Sequence, residues 1–404
     1  MRDTLLPFSI PSIGEEEIEA VTLALRSGWI TSGPRAREFE HSFGEFVGAS
    51  AALALNSGTA ALHLALAAIG AGPRTAVITS TMTFCSGVHV IEQVGARPIL
   101  VDVEPDTLNI DPAAVEKAAR SLRRGEKLAA IMPVHLYGHA CDRDQLLRIA
   151  RRHRCALIED AAHAFPAGHA GRMIGGTGDS VPVLTAFSFY STKNLTTGEG
   201  GMLTGPRDVV DKARLLSLHG ISRDVWNRDQ QAADPWFYEV TEAGFKYNMS
   251  DIQAALGIAQ LRKTQGLSKR REEIARQYND AFRSIEELEM PACRAHVDHA
   301  WHIYALRLHP HRMKISRSEF IAELRRRNIA ASVHFIPVHA HRYYADAYSY
   351  QLEDFPIAWR EYQRLVSLPI YPAMTDADVS DVIDTVRDVC ATHRSLRTHA
   401  AVEA

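Results

Sequence analysis

Short apolar runs alternate with amphipathic helical stretches through the first two-thirds of the chain, and this alternation constrains the fold more than any other feature. Runs at Ala51–Leu55, Thr75–Thr79, Pro98–Val103, Ala129–Val134, Ala156–Glu159, Thr185–Phe189 and Gly201–Thr204 have the length and composition of buried strands. Helical patterns such as Gly58–Ile69, Pro112–Ser121 and Arg143–Arg152 lie between several of them. Such alternation predicts an α/β fold: a mainly parallel, seven-stranded sheet with helices on both faces. Ligands of these sheets bind outside the carboxyl ends of the strands. Chemistry is therefore expected in the loops that leave those runs.

Beyond the sheet, the spacing of apolar residues predicts one long helix from Ser250 to about Ile285. A strand (His302–Leu308), a helix (Arg317–Arg327), a strand (Ala331–Phe335) and a final helix (Asp376–His393) follow. A chain of 404 residues exceeds one small core, so two lobes are expected. The division reads as an N-terminal arm over 1–14, a large domain over 15–260, and a connecting helix with a smaller C-terminal α/β domain over 261–404. A net charge of −3 gives no reason to expect a nucleic acid or an anionic membrane as partner. Five cysteines without a CxxC pair argue against a disulfide framework or a cysteine zinc site. No segment has the length and apolarity of a membrane span, and the N-terminus lacks the apolar core of a signal peptide. A reduced, cytoplasmic protein is the expectation.

Lys193 ends an apolar run, Phe187-Ser188-Phe189-Tyr190-Ser191-Thr192-Lys193, and precedes the glycine-rich Gly198-Glu199-Gly200-Gly201. A lysine desolvated there has a depressed pKa and becomes a nucleophile towards an aldehyde. Asp160 closes another apolar run in Ile158-Glu159-Asp160. A lysine and a buried aspartate at two strand ends are the pair that pyridoxal phosphate requires, one for its aldehyde and one for its ring nitrogen. Asn56-Ser57-Gly58-Thr59 opens a helix after the first strand and is either a phosphate cradle or a plain N-cap. Ser188 offers a further hydroxyl to the same phosphate. Phe84 either stacks on a planar ligand or belongs to the core, and His163 either holds the cofactor or is structural. The histidines of His334-Phe335-Ile336-Pro337-Val338-His339-Ala340-His341 have no metal-site spacing, so no metal is expected, and His334 reads as substrate-facing. Neither GxxxxGK[ST] nor GxGxxG after the first strand occurs, which leaves nucleotide hydrolysis and nicotinamide binding without their loops.

Assembled, these segments resemble the DegT/DnrJ/EryC1/StrS family of sugar aminotransferases, a branch of the fold-type I, aspartate aminotransferase-like enzymes. The resemblance runs from Gly28-Trp29-Ile30-Thr31-Ser32-Gly33-Pro34 through Pro133-Val134-His135-Leu136-Tyr137-Gly138 and Glu159-Asp160-Ala161-Ala162-His163. It continues through Tyr247-Asn248-Met249-Ser250-Asp251 to Leu368-Pro369-Ile370-Tyr371-Pro372 and covers nearly the whole chain. It implies that Lys193 bonds the cofactor and later moves a proton, and that Asp160 keeps the pyridine nitrogen protonated. Gly58, Thr59 and Ser188 would bind the phosphate, with Phe84 stacked on the ring and His163 beside it. Asn248 would reach the cofactor of a neighbouring subunit, making the site a property of a homodimer, and Trp29, Thr31 and His334 would face the substrate. The implied reaction moves an amino group from an amino acid, glutamate above all, to a nucleotide-linked 4-keto sugar. Amination at C3, or of a keto-inositol, uses most of the same segments. Sugar dehydratases of this family replace the lysine by histidine, so Lys193 argues against that chemistry. A non-catalytic regulator would have no need of the complete set.

Overall fold

A computed structural model of the protein describes residues 2–221 and 238–395. Seven strands, β1 (Ala51–Leu55), β2 (Thr75–Ser80), β3 (Arg97–Val101), β4 (Lys127–Met132), β5 (Ala156–Asp160), β6 (Val183–Ser188) and β7 (Gly201–Gly205), form one sheet. Their order is β1-β7-β6-β5-β4-β2-β3. All pairings from β6 to β3 are parallel, whereas β7 runs antiparallel between β6 and β1. The physical reason lies in the connections. A long connection carries the chain back between parallel neighbours, with a helix in most cases and the helix-free link 161–182 between β5 and β6, whereas the shorter link 189–200 folds as a tight turn and β7 returns antiparallel on β6.

Alternate residues of the central strands bury on opposite faces. Ile78, Ile131 and Leu157 pack under the helices Pro112–Ala119 and Arg143–His153, while Val77, Ala130, Ile158 and Leu184 pack on the helix Gly58–Ala68. That helix is apolar on every side because it lies between the sheet and the helix Arg207–Ser217. Each of its buried leucines, Leu62, Leu64 and Leu66, contributes about 1.5–3 kcal/mol of transfer free energy.

The long helix spans Asp251–Phe282 and starts at a capping box, in which Ser250 Oγ accepts from Gln253 N–H and Gln253 Oε1 accepts from Ser250 N–H. It crosses 260/261 without a break. One end packs on the helices Glu15–Arg26 and Pro34–Val47, the other on Asp376–His393, so both lobes share it. The small lobe holds an antiparallel sheet of Leu288–Glu289, Tyr304–Leu308 and Leu365–Leu368. Its helices Arg317–Arg326 and Asp376–His393 lie where the periodicity puts them.

The segment 331–335 departs from expectation: it is not a strand. Ser332 makes one bridge to Ser367, exchanging both backbone hydrogen bonds at 3.1 and 2.8 Å, and pairing then stops. At His334 the backbone carbonyl accepts from the Tyr137 hydroxyl instead of from a neighbouring strand. The segment thereby becomes a wall between the lobes. The N-terminal arm packs beside it: Leu6 pairs with Ile329, and the Phe8 ring stacks on His334 at 5.2 Å. Among the described residues no helix is long and apolar enough to cross a membrane.

Candidate active site

The carboxyl ends of β5 and β6, the start of the helix Gly58–Ala68 and the 331–335 wall enclose a cavity of about 480 Å³. Gly58, Thr59, Phe84, Asp160, His163, Ser188, Lys193 and His334 all line it, drawn from segments far apart in the chain.

Lys193 sits in a turn after β6, its backbone N–H donating to Tyr190 O at 2.8 Å. The turn is fixed from below, because Phe189 O accepts both Thr197 N–H at 3.0 Å and Thr196 Oγ1 at 3.1 Å. The side chain keeps partial access through the cavity but lies deep in protein. Burial pulls its pKa down to about 8, against the opposing pull of Asp160. Asp160, the last residue of β5, is buried, and burial raises its pKa despite the Ala162 N–H at 3.0 Å and the Lys193 charge. A carboxylate kept here gains by facing a cation.

Its neighbour Glu159 points the other way, as strand alternation demands. Burial would raise the Glu159 pKa, but Arg143 at 2.7 Å and His135 hold it at about 2, and Thr185 Oγ1 donates to it at 2.9 Å. Arg143 also pairs with Asp179 at 2.8 Å. Of two adjacent carboxylates, one anchors β5 from beneath and the other faces the cavity.

At the opposite wall, Ser57 Oγ accepts the Ala60 N–H at 3.0 Å, so this serine is spent as the N-cap. The N–H groups of Gly58 and Thr59 have no helical partner and stand at the cavity, an anion-binding arrangement. Gly58 is required by close packing: a Cβ there would lie 2.9 Å from Ser188 Cβ and 3.2 Å from Phe187 O. The N-cap and the helix-start N–H groups facing the cavity thus fall on different residues.

Phe84 is 57% exposed, which removes it from the core and leaves its ring free at the cavity edge, 5.8 Å from Phe335. His163 Nδ1 accepts the Tyr137 N–H at 3.3 Å. A backbone N–H only donates, so the proton of this neutral ring sits on Nε2. Burial, with Lys193 and His334 nearby, pushes its pKa well down. His334 Nδ1 lies 2.9 Å from Ser367 Oγ, and burial, aided by Lys193, lowers its pKa to about 4.

Trp29, Thr31 and Asn248 do not line this cavity. They gather on another surface instead. Asn248 Nδ2 donates to Ser32 Oγ at 2.6 Å, Ser32 Oγ to Met249 O at 2.6 Å, and Asp251 N–H to Thr31 O at 3.0 Å. The Asp251 carboxylate caps the helix Pro34–Val47 through Arg35 and Ala36 N–H. Conversely, the cavity holds residues that the sequence reading did not single out, His302 and Phe335 among them. The only local signal for His302 was a polar ring at the head of an apolar strand.

The pattern that defines the DegT/DnrJ/EryC1/StrS aminotransferase family matches residues 11–387. The chain belongs to that family. It is 46% identical over 395 residues to the protein MJ1066 of Methanocaldococcus jannaschii, covering 98% of this chain and all of that one. With the spore coat polysaccharide biosynthesis protein SpsC of Bacillus subtilis it shares 48% identity over 390 residues, 96% of this chain and 98% of SpsC. Among solved structures it superposes on Spr1654 of Streptococcus pneumoniae, described as a sugar aminotransferase and solved in its PMP-form, with a TM-score of 0.87 and 31% identity. That match covers 96% of this chain and 99% of the other. As a member of the family the protein is a fold-type I aminotransferase with pyridoxal phosphate as its cofactor. Its own residues fit the group: a helix start that a Cβ would close, a buried carboxylate wanting a cation, and a lysine of low pKa. When bound, pyridoxal phosphate supplies an aldehyde carbon and an electron-accepting ring.

Proposed function

We propose that this DegT/DnrJ/EryC1/StrS aminotransferase transfers an amino group from an amino acid, most naturally glutamate, to a nucleotide-linked 4-keto sugar. Lys193 and Asp160, beyond the ends of two neighbouring strands on one cavity, with the Gly58–Thr59 helix start also lining it, carry the reading of the chemistry. The sugar is supported by the sugar-aminotransferase description of Spr1654 and the polysaccharide-biosynthesis name of SpsC.

In this reading Asp160 holds the ring nitrogen's proton, and Gly58, Thr59 and Ser188 hold the phosphate. His163 donates its Nε2–H to an acceptor oxygen in the cavity, and Phe84 covers one ring face. Lys193 Nζ takes the proton from the donor's Cα and later returns one to the new amine-bearing carbon. Its pKa near 8 leaves part of the amine neutral at physiological pH, which proton transfer requires. Asn248, with Trp29 and Thr31, serves the site of a second copy, so the enzyme works as a homodimer, in the cytoplasm.

The test is a half-reaction. The pyridoxamine form is mixed with nucleotide-linked 4-keto sugars, 3-keto sugars and keto-inositols, and recovery of the cofactor's original absorption is followed. A 4-keto sugar should restore it fastest. If a 3-keto sugar or a keto-inositol does so instead, the position of amination is wrong. If no sugar ketone does, the substrate class is wrong.

A further inference from the structure

The residue after Lys193 ties the cofactor turn to the small lobe. Asn194 Nδ2 donates to Ala300 O at 2.8 Å, and Asn194 Oδ1 lies 3.1 Å from His302 Nδ1. The amide cannot be turned round, because its oxygen would then face the Ala300 carbonyl oxygen. With Oδ1 towards the ring, His302 Nδ1 must carry the proton and Nε2 must carry the lone pair. Nε2 has no partner among the described residues and is not sealed from solvent, and His302 lines the cavity. The ring packs on His163 with centroids 4.6 Å apart. Burial keeps His302 neutral, and the positive charge of Lys193 and Arg271, with His163 and His334 facing it too, works in the same direction.

The cavity therefore shows two fixed and opposite imidazole functions, a donor at His163 Nε2–H and an acceptor at His302 Nε2. An acceptor lone pair cannot bind a carboxylate, which has no proton to give. It suits a hydroxyl. Resting on the reading of the amino acceptor as a sugar, we propose that His302 Nε2 accepts a hydrogen bond from a hydroxyl of the keto sugar. Asn194 is the positioning residue that holds His302 in the accepting tautomer. A polyhydroxylated ketone is then distinguished from the amino donor's carboxylate-bearing chain within one shared cavity.

Two substitutions separate this role from a structural one. In His302→Asn the new amide reaches where Nδ1 was, keeping the partner of Asn194 but losing the Nε2 acceptor. In His302→Gln the amide oxygen reaches where Nε2 was. Kinetics of each half-reaction would be measured separately, with calorimetric affinity for the nucleotide-linked alcohol analogue of the ketone. Loss of one directed hydrogen bond should lower kcat/KM for the keto sugar by about 10- to 100-fold in His302→Asn, chiefly through KM, and weaken the analogue to match. The glutamate half-reaction and cofactor affinity should stay within about twofold, and His302→Gln should recover most of the loss. If His302→Asn equals or exceeds His302→Gln, or both half-reactions fall together, His302 is structural and the proposal is overturned. If wild type reacts with no keto sugar, the substrate reading itself has failed and takes this one with it.

Discussion

Replacing Asp160 with asparagine should make Lys193 of the cofactor-free protein a better nucleophile, although it should ruin the enzyme. Burial brings the Lys193 pKa to about 8 from 10.5, and the Asp160 charge is the influence that raises it. At pH 7 a lysine titrating near 8 is ~9% neutral, against ~0.03% at 10.5, about 300-fold more nucleophile. Removing the Asp160 charge lowers the pKa further, so the neutral fraction at pH 7 can rise by at most about 11-fold. The assay uses apo-protein and a small aliphatic aldehyde, trapped by cyanoborohydride between pH 6 and 10, with the Lys193 peptide quantified by mass spectrometry. A probe lacking both phosphate and ring keeps the readout clear of Asp160's other role. Wild type should show a midpoint near 8, with labelling rising as pH rises through it and level above. Asp160→Asn should move the midpoint down and raise the rate at pH 7. A wild-type midpoint above 10, or a folded Asp160→Asn protein labelled more slowly at pH 7, would refute the electrostatic account.

Three further outcomes are expected. Gly58→Ala puts a Cβ 2.9 Å from Ser188 Cβ, forcing the helix start from β6; cofactor affinity, read by fluorescence titration, should fall about tenfold or more. Arg143→Met leaves Glu159 buried without its main partner and should cost about 3–5 kcal/mol in denaturant unfolding. The sign of its pH dependence follows from the depressed Glu159 pKa: the contribution is present above the ordinary carboxylate range and lost as pH falls towards about 2, so wild type and variant should converge in acid. Finally, Asn248→Ala and Lys193→Ala chains, each weak or inactive alone, should regain part of the activity when mixed and refolded together. No recovery would mean that Asn248 serves only its own chain.

Much of the site was legible because its signals are local. An apolar run ending in lysine, another ending in aspartate, and a helix opening at Ser57-Gly58 are patterns within a few residues, and strand ends are where an α/β sheet puts ligands. Phe84 was not decidable that way. A phenylalanine after a strand is ordinarily core, and only its 57% exposure shows that this ring is free. The 331–335 segment misled for the opposite reason. Its residues suit a strand, but the Tyr137 hydroxyl claims the carbonyl that a strand partner would have taken.

What the sequence by itself determined is the order of elements, the sheet, the lysine–aspartate pair and the helix start offered to a phosphate, all consequences of periodicity and short-range chemistry. Tertiary structure alone decided which of Glu159 and Asp160 faces Arg143 and which faces the cavity. It also decided how far the Lys193 amine is depressed, and that His302 meets Asn194 across the lobes. Those properties depend on what surrounds a group in space. Partners such as Asn194 and His302 stand far apart in sequence, where no local pattern joins them, and desolvation belongs to the whole packed protein.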